Sequence, residues 1–206
     1  MNRFEYDLVA GSSMPQPSKA SDMLLSQMEI SLVLNQRKIF FIEEVDGDSV
    51  FNCMYYLHRL RDLDKKTNTK DPIEIYINSP GGSLYDGLGL IGLIEQMKAE
   101  GYKIVTINIG IAASFAFLLL VCGSERKSYK YARAMYHDAS SGMYGKFQDL
   151  VDHMEEMEVA RDNYTEIIMQ YTNLTMEQLT EWNEKKKDKW FSAQEMMEIQ
   201  GVDVIC

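Results

Sequence analysis

Apolar and polar residues alternate along Ile73-Glu74-Ile75-Tyr76-Ile77, the pattern of a half-buried strand. Strands are also expected over Lys38–Glu43, Lys103–Ile107 and Arg133–His137. Between them, apolar residues recur at three- and four-residue steps. Asp48–Lys65 carries Val50, Cys53, Met54, Leu57 and Leu60 on one face, with Asp48 or Ser49 as its cap. Ser83–Lys98 carries Leu84, Leu88, Ile91 and Ile94, and Ser114–Cys122 is closed by Gly123. A short helix is expected over Ser21–Asn35, and Lys66–Asp71 is a polar loop ended by Pro72. Strands alternating with helices predict parallel βαβ units and an α/β fold. No repeat or low-complexity tract interrupts the pattern.

Lys146–Tyr171 reads as one long helix. Its stripe includes Phe147, Leu150, Met154, Met157, Ala160, Tyr164, Ile168 and Tyr171, and its other positions are strongly charged. A helix of this length needs a partner for its stripe. Residues 1–21, with Gly11, Pro15 and Pro17, read as a flexible tail, which leaves 22–206 as one domain.

Two features test whether the chain belongs in a membrane. Met1-Asn2-Arg3-Phe4-Glu5 has neither the basic start nor the apolar run of a signal peptide. Ile104 to Cys122 carries no charge, close to the ~20 residues of a spanning helix. Thr106, Asn108, Gly110 and Ser114 interrupt it, and its first half is β-branched at alternating positions. A buried strand running into a buried helix is the better reading, so no membrane partner is expected.

Composition adds bounds. With 206 residues and 46% hydrophobic content, the chain is long enough for one globular core. The formal net charge of −10 disfavours nucleic acid as a partner. Three cysteines, Cys53, Cys122 and Cys206, lie far apart without metal-ligand spacing, as reduced thiols of a cytoplasmic protein do. Fourteen methionines suit adaptable contact surfaces.

Three fragments carry chemistry. Asn78-Ser79-Pro80-Gly81-Gly82 follows a strand, and paired glycines there leave backbone N–H groups free to hold an anionic oxygen. Gly110-Ile111-Ala112-Ala113-Ser114-Phe115 sets a serine among small residues, and Met135-Tyr136-His137 ends a strand with a histidine. Glycines, serine and histidine are the parts of a serine hydrolase. Taken alone, Ser114 reads equally well as a small residue at a helix start, and Gly81-Gly82 as a tight turn. The pattern is not Gly-x-Ser-x-Gly, so an α/β-hydrolase elbow is not expected. His58 and His153 lie within predicted helices and read as solvated or structural.

In order and spacing, these fragments resemble the Clp protease proteolytic subunit, which carries Asn-Ser-Pro-Gly-Gly, Gly-x-Ala-Ala-Ser-Met and Met-Ile-His. Phe115 and Tyr136 depart from it. Glu29-Ile30-Ser31 through Ile42 resembles the family's opening helix and strand, and Phe191-Ser192-Ala193 through Ile205 its closing segment. The resemblance implies the α/β spiral shared by Clp proteases and the crotonase superfamily, with the long helix as a protruding handle and Gly142–Gly145 as its strand side. It implies a serine endopeptidase with nucleophile Ser114, base His137, and oxyanion donors Gly82 and Phe115. It implies no metal or cofactor, two stacked heptameric rings as a homo-oligomer, an AAA+ ATP-driven unfoldase, and an N-terminal extension that is processed in many members.

The acid of the triad is where the family pattern breaks. The segment from Glu177 to Ser192 is longer than the family's. Counting forward from Gln178 reaches Trp182, and counting back from Ser192 reaches Glu184, while Asp188 falls on a second family aspartate. Asp188, the only aspartate there, is the choice, with Glu184 and Asn183 as rivals. Asp138 and Ala139 also replace the Gln-Pro that follows the family's histidine. Two other classes stay open: a catalytically silent ring subunit, and a crotonase-type enzyme acting on an acyl-coenzyme A thioester.

Overall fold

A computed structural model of the chain describes residues 28, 30–138, 146–185 and 187–206. The expected tail, 1–21, and the Gly142–Gly145 segment lie outside the described residues. The elements are α1 (30–36), β1 (Lys38–Phe41), α2 (Gly47–Thr67), β2 (Ile73–Ser79), α3 (Leu84–Ala99), β3 (Ile104–Ala113) and α4 (Phe115–Val121). They continue with β4 (Glu125–Ser128), β5 (Arg133–Tyr136), α5 (Phe147–Tyr171), α6 (Met176–Glu184), β6 (Lys189–Ser192), α7 (Ala193–Glu198) and β7 (Val204–Ile205).

Strands β1, β2, β3, β4 and β7 lie side by side in that order, all parallel. The fold is α/β, as expected. Strand β3 organises the sheet. Its first part, Val105–Asn108, pairs with β4, and its last part, Ile111–Ala113, pairs with β5. The sheet therefore forks along one strand, and β6 adds antiparallel to the outer edge of β5. At the fork the β2–β3 register shifts between Ile77 and Ser79. Asn78 bridges the shift, its Oδ1 accepting from the Ile111 N–H at 3.0 Å. A Cβ on Gly110 would lie 2.4 Å from that oxygen, so the position needs glycine for space.

The expected strand Lys103–Ile107 thus runs on to Ala113, and the uncharged stretch divides into β3 and the seven-residue α4. Every residue of α4 is buried, which explains its lack of a polar face. Phe117 meets Phe191 of β6 with ring centroids 5.9 Å apart, joining α4 to the sheet's outer edge. Among the described residues no helix is long and apolar enough to cross a membrane.

Helix α2 starts at a capping box, Asp46 accepting from the Ser49 N–H while Ser49 accepts from the Asp46 N–H. Near its end Asp64, almost fully buried, takes a two-pronged hydrogen bond from Arg37 at 2.9 and 2.7 Å. Helix α5 buries only Ala160, Tyr164, Thr165 and Ile168, all in its second half. Phe147 and Met154 in the first half are 80% and 67% exposed, so half of the expected stripe is uncovered in a single chain.

Candidate active site

Strand β3 delivers Ser114 at a sharp turn into α4. Its backbone, φ 54° and ψ −126°, lies outside the regions that L residues normally occupy. Such strain persists only where the surroundings over-determine it, and it gathers at functional sites. Two backbone bonds hold the turn. The Ser114 N–H donates to the Met135 carbonyl and the Ser114 carbonyl accepts from Phe117 N–H, both at 2.9 Å.

His137 follows β5, the strand against the end of β3. Its Nε2 lies 2.7 Å from Ser114 Oγ, within hydrogen-bond reach. Both side chains are partly exposed. Adjacent parallel strands therefore bring together two residues far apart in sequence, at the carboxyl ends of the strands.

The paired glycines press against this turn. Gly81, at φ 92°, lies so near that a Cβ there would fall 2.5 Å from both Ala113 O and Ser114 Cβ. Gly82, at φ 150°, meets Val45: Val45 N–H donates to Gly81 O at 2.8 Å, and Ser83 N–H to Val45 O at 2.7 Å. The buried Ser79 hydroxyl accepts from Gly81 N–H at 3.2 Å. Among the described residues, the N–H groups of Gly82 and Phe115 donate to nothing. Both residues border the cavity that holds Ser114 and His137. Two free donors flanking a serine hydroxyl can stabilise negative charge on an attached oxygen.

The cavity measures about 330 Å³. Tyr85 of α3 and His153, Met157 and Tyr164 of α5 complete its wall. Sequence pattern alone does not announce this role for His153 and Tyr164. Their spacing from Met157 by four and seven residues was the available signal, since it sets all three on one helical face. His58, by contrast, has Nδ1 2.8 Å from Arg61 in α2, away from the cavity.

Four of the five expected site residues thus meet at one cavity, and Asp188 does not join them. It is exposed, and among the described residues its carboxylate accepts no hydrogen bond. The β5–β6 ladder pairs Ala134 with Phe191, Met135 with Trp190 and Tyr136 with Lys189, and it ends there, one residue short of His137 and Asp188. The rivals lie elsewhere. Asn183 accepts from the Tyr136 hydroxyl at 2.9 Å, and Asn183 and Glu184 border a separate cavity with Asp138 and Arg161. Trp182 packs on Tyr136 and Phe191. Among the described residues no cluster of three metal-binding side chains occurs.

A family model described as Clp protease matches residues 22–206, and the chain belongs to that family. It is 34% identical over 175 residues to an ATP-dependent Clp protease proteolytic subunit 1 of Corynebacterium jeikeium, covering 83% of this chain and 87% of that one. It is 30% identical over 188 residues to a proteolytic subunit 2 of Rhodococcus jostii, covering 90% and 92%. A proteolytic subunit of Bacteroides thetaiotaomicron is 31% identical over 198 residues, covering 95% and 86%.

Proposed function

We propose that this chain is a serine endopeptidase that hydrolyses peptides and unfolded proteins. The observation that carries the reading is the 2.7 Å approach of His137 Nε2 to Ser114 Oγ at a strained turn flanked by two free N–H donors. In this mechanism Ser114 Oγ attacks the scissile carbonyl. His137 takes the hydroxyl proton on Nε2 and returns it to the leaving amine. The Gly82 and Phe115 N–H groups hold the oxyanion, each worth roughly 10²–10³ in rate. For Nε2 to accept, Nδ1 must carry the proton, and that N–H needs an acceptor. We assign this role to Asp188, whose exposed carboxylate is at liberty to turn onto Nδ1. No metal or organic cofactor enters the scheme.

The half-exposed stripe of α5 and the relatives' designation as ATP-dependent proteolytic subunits support a cytoplasmic homo-oligomer of two stacked heptameric rings. An AAA+ unfoldase would feed it folded substrates. One observation favours a second reading, the catalytically silent ring subunit: among the described residues the Asp188 carboxylate makes no hydrogen bond to His137. An acyl-coenzyme A enzyme would need neither serine nor histidine in this geometry. A fluorophosphonate probe separates the three. Covalent labelling that disappears in Ser114→Ala, together with peptide hydrolysis, supports the peptidase. Absence of labelling in the assembled protein sinks it.

A further inference from the structure

Helix α3 carries Gly87, Gly89 and Gly92 in its interior. Glycine weakens a helix interior, so each position invites a reason. A Cβ on Gly89 or Gly92 would meet nothing within 4 Å. A Cβ on Gly87 would lie 2.2, 2.4 and 2.5 Å from Cε1, Cζ and Cδ1 of Phe115. Carbon atoms in contact sit about 3.5–4.0 Å apart. The Phe115 ring therefore rests on the bare backbone of α3, in space that only glycine leaves. The ring is enclosed, since Phe115 is 2% exposed. Its main chain is held as closely: a Cβ on Gly81 would lie 2.9 Å from Phe115 N.

We propose that Gly87 is a positioning residue for hydrolysis: by seating the Phe115 ring, it sets the Phe115 N–H at the oxyanion. The inference rests on the serine peptidase reading of the site. Chain connectivity gives the seat its meaning. Gly82, the other donor, directly precedes Ser83, the cap of α3. The Gly87 N–H then donates to the Ser83 carbonyl at 3.2 Å, so one helical turn joins cap and seat. A single short segment thus carries one donor and seats the residue that supplies the other. The separation of the two donors is set by backbone packing. A close-packed interior transmits strain. A methyl on Gly87 would have to push the ring by more than about 1 Å, and the ring is tied through one Cβ to the backbone bearing the N–H. Oxyanion donors act on charge that develops in the transition state, so the loss falls on kcat and spares substrate binding.

Two measurements read this: steady-state hydrolysis of a fluorogenic peptide, and inhibition by a peptide aldehyde that adds to Ser114 Oγ as a tetrahedral adduct. Gly87→Ala is expected to lower kcat by about 10² and to weaken the aldehyde by a similar factor. KM should stay within about twofold. Phe115→Leu keeps the N–H and removes the ring, and is expected to lower kcat about tenfold. The two changes should compensate. With both present the new methyl takes up space that the ring vacated, and kcat should exceed that of Phe115→Leu alone. That comparison decides the matter even where Gly87→Ala by itself does not fold. A glycine kept only for packing would lower the urea midpoint in Gly87→Ala and leave kcat and aldehyde affinity unchanged in the folded fraction. That result, a change confined to KM, or a double variant no faster than Phe115→Leu would overturn the inference alone. An unaltered protein inert toward both the peptide and the fluorophosphonate would overturn the peptidase reading and this inference with it.

Discussion

His137 and Asp188 each stand one residue beyond Tyr136 and Lys189, the last rung of the β5–β6 ladder. Opposite residues of an antiparallel pair put their side chains on one face, with Cβ atoms about 4.5–5.5 Å apart. Ala134, Tyr136 and Phe191 are buried on the other face, and Tyr136 meets Asn183 there. Alternation carried one residue past the ladder would put His137 on the Asp188 side, away from Asn183. Asp188→Asn is expected to lower kcat by ~10⁴, the penalty of favouring the wrong imidazole tautomer. Glu184→Gln should leave turnover near wild type. Asn183→Ala should do the same, although it strips the buried Tyr136 hydroxyl of its partner and should melt earlier. Steady-state hydrolysis of a fluorogenic peptide checks all three, and an unchanged kcat in Asp188→Asn removes Asp188 from the mechanism.

Gly81 and Ser114 are in direct contact, so Gly81→Ala should damage catalysis through position alone. The new methyl would meet Ala113 O and Ser114 Cβ at 2.5 Å on a backbone with φ 92°. A displacement of about 1 Å at a reacting group costs on the order of 10² in rate, and that is the expected loss in kcat/KM. Gly89→Ala, in α3 with nothing within 4 Å of its Cβ, is the control. It should leave activity intact and stabilise slightly, by about 0.4–1 kcal/mol. Equal activity of the two variants would mean that the turn tolerates movement.

The first half of α5 supplies the assembly test. Phe147 is 80% exposed, Met154 67% and, further along the helix, Val159 54%. An exposed apolar stripe of this kind marks a contact surface. Met154→Glu and Val159→Glu together should reduce the particle mass measured by light scattering at micromolar concentration, while the fold, whose core lies in the second half of the helix, is retained. A mass equal to that of the unaltered protein would detach α5 from assembly.

The parts legible in the sequence are those whose pattern arises from local burial. β2 alternates because one face packs on α4, and α2 and α3 show their stripes for the same reason. The illegible parts depend on partners distant in the chain. β4 reads Glu-Arg-Lys-Ser, a polar surface run, and becomes a strand because β3 and β7 flank it. Its charges are held by Lys103 with Glu125, and by Arg126 with Asp203, whose carboxyl those hydrogen bonds keep below the usual range. The extension of β3 through Gly110 was equally hidden, since glycine argues against a strand until Asn78 is seen to fill the gap. At the site, Ser114, His137, Gly82 and Phe115 were readable as motifs, and the cavity brings them together. Counting points to Asp188, and the β5–β6 ladder ends one residue short of the pair it would form with His137. Tyr164 was assigned to an apolar stripe, because periodicity records which face a residue occupies and not whether its hydroxyl finds a partner.

The three thiols should separate cleanly. Cys53 and Cys122 are buried and Cys206 is exposed. Burial pushes the Cys53 and Cys122 thiols from the ordinary 9.0 up to about 12. The thiolate is the reactive form, and three units of pKa lower its population by about 10³. Iodoacetamide at pH 8 is therefore expected to add one label to the folded protein, at Cys206, and three after denaturation. The same shifts fix a pH dependence. Raised folded-state values mean that the folded state binds protons which the unfolded state releases. Their contribution to stability is complete below pH 9 and is lost as pH rises from 9 toward 12. Cys53→Ala and Cys122→Ala should each flatten that alkaline decline in urea midpoints while lowering stability at neutral pH. An alkaline decline unchanged in both variants would assign it to other groups.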